Sequence, residues 1–251
     1  MKVFNPEFIK EYGVIIDEVV EFEKKSGKKN LTDELIADKE SFRTEFSNIA
    51  LDLNKAKQYK EASALFYSLY IFDPKKEGKS LHNAAILAVQ AQDYKLAQKH
   101  YEEFYNSDYF ANAVTYFATN KSTGVEEDLN SRENRTKLIS LGLYEKPRDE
   151  KVSKTKPEIL KFLSILYTEN KEFDKAKAAL TEVRLLLPED EELKTNEFNL
   201  YFNEGYAGLA DEAKLVDQIN ASTADKKKYD DLMNQRKVMF QKALPAFEKA
   251  Y

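Results

Sequence analysis

A small set of residues returns along this chain at fixed intervals, and that recurrence narrows the possible folds more than any other feature. In EFSNIALDLNKAKQYKEASALFYSLYIFDP, residues 45–74, the markers are Tyr59, Ala62, Phe66 and Pro74. Tyr94, Ala97 and Tyr101 follow, each 35 residues after its counterpart. A further copy, PEILKFLSILYTENKEFDKAKAALTEVRLLLP, carries Phe173, Ala176, Leu180 and Pro188. Offsets of three and seven place these side chains on one face of a helix. The alanine sits where two antiparallel helices approach closely, and the larger residue four positions on fills the gap to a neighbouring unit. Proline ends the second helix because it has no N–H for the hydrogen-bond ladder. One helical pair cannot cover both of its apolar faces, so such units must stack.

Composition agrees with a thin helical array. Only 7 Gly and 6 Pro occur in 251 residues, too few for a many-turned β protein. The chain is 42% apolar, enough for a core, yet 33% charged with a mean hydropathy of −0.63, which requires much solvated surface. A net charge of −5 gives no basic footprint for nucleic acid. The absence of cysteine excludes disulfides, thiol catalysis and thiolate metal sites, and it suits a cytoplasm or a bacterial periplasm equally. Val14-Ile15-Ile16 is broken at once by Asp17 and Glu18, so neither a transmembrane span nor a signal peptide is expected.

The spacing resembles the tetratricopeptide repeat, with Ala50 and Ala85 at its small first-helix position and Tyr167 at its later aromatic position. FQKALPAFEKAY, with Ala243, Phe247 and Ala250, is similar to a second helix of that repeat. The family's tryptophan-like position is Phe46, Leu81 and Leu160 here, and its usual glycine is absent from the three clear copies. The resemblance covers about two thirds of the chain. It implies an all-α fold: an α-solenoid of antiparallel helix pairs, with a short inserted β-hairpin and a long C-terminal helical hairpin. The long hairpin before a KALP-type ending is similar to bacterial cell-envelope members of the family, which implies a periplasmic or cell-envelope location.

Five segments follow. Residues 1–41 read as a degenerate N-terminal capping repeat: Asn5-Pro6-Glu7 open a helix, Phe8 to Phe22 recur at helical spacing, Gly27 stops it, and a short helical piece runs from Leu31 to Ile36. Residues 42–106 hold two repeats. Residues 107–156 are an insertion, in which AVTYFAT, the turn NKSTG and VEEDL predict a hairpin. Within it Ser131 caps a short helix ending before Gly142, and LYEKPRDEKVSKTKP is a charged loop. Residues 157–190 are a third repeat. Residues 191–251 are read as two long helices, 193–220 and 225–251. Phe198, Phe202, Gly205, Leu209, Val216 and Ile219 make one stripe, and Tyr229, Met233, Phe240, Leu244 and Phe247 face it. Pro245 is expected to kink the last helix.

Chemistry-bearing constellations are scarce. His82 and His100 sit on different helices with no metal-ligand spacing; His82 is expected to line a groove and His100 to be exposed. No phosphate-cradling glycine loop or serine nucleophile elbow occurs. The acidic run 188–193 suits the positive end of a helix. No catalytic residue, metal or cofactor is therefore expected. The function expected is non-enzymatic: a scaffold or adaptor gripping a partner peptide or helix on the concave face. The alternative is a structural accessory subunit of an outer-membrane assembly or secretion complex. The outward positions are Thr44, Ser47 and Leu51; then Lys79, His82, Ile86 and Val89; then Lys161, Ile165 and Thr168. The carboxylate clamp of co-chaperone members would fall on Ser47, Leu51, Asn83, Glu158 and Phe162, of which Asn83 alone matches. The partner expected is thus protein, not nucleic acid, without a direct membrane span.

Overall fold

The computed structural model describes residues 6–251, with side chains from Phe8 onward, so the expected cap at Asn5 lies outside the described residues. The chain is mostly helical with one small antiparallel sheet, and it divides into two compact units, residues 1–156 and 157–251. The first unit runs α1 (Pro6–Ser26), α2 (Thr32–Lys55), α3 (Tyr59–Phe72), α4 (Gly78–Gln90), α5 (Tyr94–Tyr105) and the short α6 (Tyr109–Asn112). It continues with β1 (Val114–Asn120), β2 (Glu126–Asp128), α7 (Arg132–Ser140), β3 (Tyr144–Lys151) and a 3-10 turn, Val152–Thr155. The second holds α8 (Lys156–Glu169), α9 (Phe173–Leu186), α10 (Glu192–Ala207), α11 (Glu212–Ala221) and α12 (Lys226–Ala250).

The repeat markers lie where small size matters. Ala50, Ala62, Ala85, Ala97 and Ala176 are all fully enclosed, and Phe66, Tyr101 and Leu180 are buried beside them. In the first unit α2 packs on α3, α3 on α4 and α4 on α5, and α1 covers both α2 and α3. Ile9 and Ile16 of α1 meet Phe46, Leu69 and Phe72 in one apolar cluster. Gly13 permits this approach, since a Cβ there would lie 2.5 Å from the Phe72 carbonyl oxygen. Rings of Tyr12, Phe42 and Phe72 fill the space at centroid distances of 4.9–6.2 Å.

The turns repeat as faithfully as the alanines. After α2, α4 and α8 the chain adopts the left-handed conformation at Lys57, Gln92 and Lys171, with φ of 59°, 60° and 62°. Each N–H there donates three residues back, to Asn54, Val89 and Thr168, and the next donates five back, to Leu53, Ala88 and Tyr167. This is the Schellman arrangement, which satisfies the last carbonyls of a helix. Gly142 ends α7 with the same two bonds. Gly27, also left-handed, follows α1 as expected.

Charged groups staple the first unit from outside. The buried Glu23 carboxylate accepts from the backbone N–H of Asn30, Leu31 and Thr32 and from the Thr32 hydroxyl, closing the α1–α2 turn. Those donors, the Thr32 hydroxyl foremost, hold its pKa below the usual carboxylate range. Lys39 lies between Asp17 at 2.6 Å and Asp73 at 3.6 Å, and Arg43 binds Glu40 and Glu77. A buried cation persists only with partners of this kind.

Four expectations need correction. The helical piece at Leu31–Ile36 is the start of the 24-residue α2, which runs through the proposed boundary at residue 41 without a break. The loop at residues 143–157 contains a strand: β3 pairs antiparallel with β1, from Val114 opposite Lys151 to Asn120 opposite Tyr144, giving the order β2-β1-β3. Pro147 is tolerated because β3 is an edge. The proposed helix 193–220 is interrupted at residues 208–211, where Leu209, Ala210 and Glu212 donate three residues back. Finally, α12 turns Leu232 and Ala243 inward, while Met233, Phe240 and Leu244 face out. Gly205 sets that rotation, because the Phe247 ring occupies the place of its missing Cβ. The hairpin of β1 and β2 forms as expected, as does the Ser131 cap, whose hydroxyl accepts from the Asn134 N–H. Helix α12 continues through Pro245.

Candidate interaction face

Positions 44, 47 and 51 of α2 and 79, 82 and 86 of α4 are equivalent by the 35-residue repeat. Their fates differ. Thr44 is exposed and its hydroxyl donates to the Glu40 carbonyl of its own helix. Ser47 is half-buried. Leu51 is 45% exposed and Ile86 36%, so each repeat offers water an apolar side chain at the same place. Asn83, exposed one turn before Ile86, adds a hydrogen-bonding group. Val89 is half-buried.

Lys79 and His82 are engaged by neighbouring elements. The Lys79 ammonium donates to Asp128 at 2.6 Å and Asn130 at 3.3 Å, tying α4 to the end of β2. The His82 ring stacks on Phe104 at 4.7 Å and meets Tyr101 edge-on at 5.8 Å, so it belongs to packing and does not line a groove. Burial lowers its pKa, which keeps the imidazole neutral. The cause is the ring cluster of α5 and α6: Phe104 also contacts Tyr109 and Phe110, and together they cover this side of α4.

In the second unit the α8 positions are less available still. Lys161 holds Asp190 at 2.6 Å, Glu158 at 2.9 Å and Glu192 at 3.1 Å. Burial opposes its charge, but the three carboxylates outweigh burial and raise its pKa. It therefore pins α8 to the segment before α10. Ile165 is half-buried. Thr168 is 5% exposed and donates to the Ser164 carbonyl at 2.9 Å, contrary to its expected outward position. It shares the buried stripe of Leu160 and Ser164, one helical turn apart, and that phase overrides the count from the repeat.

His100 is likewise not exposed. It is 2% accessible, its ring lies 4.4 Å from that of Tyr67, and its Nδ1 has no hydrogen-bond partner. Burial, aided by Lys99, pushes its pKa down to about 4. Tyr67 donates to Glu103 and is pushed up to about 12 by burial and that carboxylate. A neutral imidazole packed at a tilt against a phenol is compatible with enclosure of a residue flanked by lysine.

The sequence reading missed a polar cleft of 810 Å³ in the first unit, bordered by Tyr70, Lys75, Lys76, Tyr109 and Tyr116. It forms where β1 leaves α6, and the alternation in VTYF together with the lysines after Pro74 is the trace it leaves in the sequence. Tyr109 is pushed up to about 12, by burial first and then by Asp128 and Glu77. Among the described residues no group of three or more His, Cys, Asp or Glu is placed to hold a metal, and no helix is long and apolar enough to cross a membrane. Comparison of the sequence with protein-family models and with curated proteins finds no match.

Proposed function

We propose that this protein is a tetratricopeptide-type scaffold without catalytic activity, whose stacked helix pairs present the outer sides of α2 and α4 to a partner protein. The observation that supports this reading is the recurrence of an exposed aliphatic residue at the same place in consecutive repeats, Leu51 and Ile86. Nearby Thr44, Ser47 and Asn83 supply hydrogen-bonding groups. Apolar anchors spaced by a repeat length, with polar groups between them, suit an extended peptide or one face of a helix. The fully enclosed alanines keep the two helices in fixed register, so the partner meets a preformed surface.

The test uses a photo-crosslinking amino acid placed at Leu51 or at Ile86 in the full chain, expressed in its native cells. The same partner is expected at both positions, and the double variant L51D/I86D is expected to lose it while keeping its helical circular dichroism. Distinct adducts at the two positions, or a double variant that retains the partner, would overturn the reading.

A further inference from the structure

The second unit carries a groove of 690 Å³ between α9 and α10 on one side and α12 on the other. Its floor is built of small residues. Gly208 lies beside Ala243, whose Cβ is 3.5 Å from where a Gly208 Cβ would be. Val238 and Met239 form an apolar wall on α12. Asn234 and Gln235 stand at one end of that wall, exposed and able both to donate and to accept.

The charge of the lining is opposite to that of the chain as a whole. Lys177, Lys242 and Lys249 border the groove, and among the described residues Glu204 is the one acid that does. Glu204 is already bound to Lys177 at 2.6 Å. The excess is therefore carried by Lys242 and Lys249, both exposed, on a protein of net charge −5. Tyr201 lies between two of the cations, with Lys249 5.3 Å and Lys177 5.9 Å from its ring centre. Pro245 also lines the wall.

We propose that this groove binds an extended acidic peptide segment of another protein. Carboxylates of that segment meet Lys242 and Lys249, one apolar side chain settles against Val238 and Met239, and the amides of Asn234 and Gln235 bond its main chain. The apolar floor and the amides favour a peptide over a phosphate polymer, which would use cations along its whole length and leave the floor unfilled. The site is separate from the face of α2 and α4 and does not depend on it.

The experiment measures fluorescence anisotropy of a labelled peptide of alternating Glu and Leu with the full-length protein. Binding is expected to weaken about tenfold or more in K242E/K249E, and to weaken as salt screens the charges. Val238→Glu is expected to weaken it as well, by blocking the apolar wall, while the exposed Lys137→Glu and the double variant L51D/I86D leave it unchanged. Thermal unfolding checks that each variant folds, since Lys242, Lys249 and Val238 are all exposed. No binding by the unaltered protein, equal binding of a Lys and Leu peptide or of single-stranded DNA, or undiminished binding by K242E/K249E would each refute the proposal.

Discussion

The two units build helices of similar length but bury them to different depths. In the first, the 14-residue α3 encloses Ala62, Ser63, Leu65, Phe66, Ser68, Leu69 and Phe72, because α1, α2 and α4 all pack against it. In the second, the 25-residue α12 encloses only Leu232 and Ala243, and the 16-residue α10 only Leu193, Leu200 and Gly205. Repeat spacing sets which residues can turn inward, whereas the number of neighbours sets how many do. Helix α3, packed by three helices, becomes a core element, whereas α12, packed by α10 and α11, keeps apolar side chains such as Met233, Phe240 and Leu244 in water.

That contrast can be broken most sharply by truncation. Phe72→Ala is expected to cost about 3–5 kcal/mol and Leu232→Ala about 2 kcal/mol, read from urea unfolding followed by circular dichroism. Equal losses would show that the second unit is as tightly coupled as the first. A pH titration comes next. His100 is held neutral, so the unfolded chain takes up a proton near pH 6.5 that the folded chain refuses until about pH 4. Stability present above pH 6.5 is therefore lost as pH falls through that window, by about 2–3 kcal/mol, and His100→Leu should flatten the curve there. Glu23 acts lower: its depressed pKa contributes stability above its ordinary value of 4.5, lost on further acidification. A titration whose slope between pH 4 and 6.5 is unchanged in the His100 variant would contradict this assignment.

The seam of the second unit offers a smaller effect. A Cβ at Gly205 would lie 2.7 Å from the Phe247 ring, so Gly205→Ala is expected to destabilise α10 against α12 by about 1–3 kcal/mol. Adding Phe247→Leu should restore part of the loss in a double-mutant cycle. The smallest changes are gains. Lys57, Gln92 and Lys171 occupy left-handed positions that glycine fills at no steric cost, and each change to Gly should add about 1 kcal/mol. An equal gain in all three would mark the turn as common to both units.

What could be read from the residues was what local chemistry and short spacing decide. Ala62, Ala97 and Ala176 follow from periodicity, the Ser131 cap from its hydroxyl, and the β1–β2 hairpin from β-branched residues around a turn. What escaped were features decided by neighbours distant in sequence. β3, with the sequence YEKPRDEK, has no apolar alternation, and its Arg148 and Asp149 pair with the charged side chains of Glu126 and Arg135. His100 is enclosed by Tyr67, 33 positions away, and His82 is covered by rings of α5 that its own helix does not announce. The break between α10 and α11 lies at Gly208, yet the apolar stripe continues across it, so periodicity alone joined the two. Among the candidate face residues, Leu51 and Ile86 are exposed, while Thr168 is buried by helical phase.

The three strands are fastened by guanidinium groups in addition to the buried Ala118, Leu129 and Val152. Arg135 of α7 donates to the carbonyls of Phe117 and Arg148 on adjacent strands, pairs with Asp149 at 2.6 Å and lies over the Tyr116 ring. On Phe117 rests Arg148, reaching Glu126 across the sheet. A patch fastened by guanidinium groups is sensitive to ionic strength in a way that the alanine seams are not. Concentrated salt should therefore loosen this corner of the molecule while the helices beside it stay folded, giving the insertion a melting regime of its own.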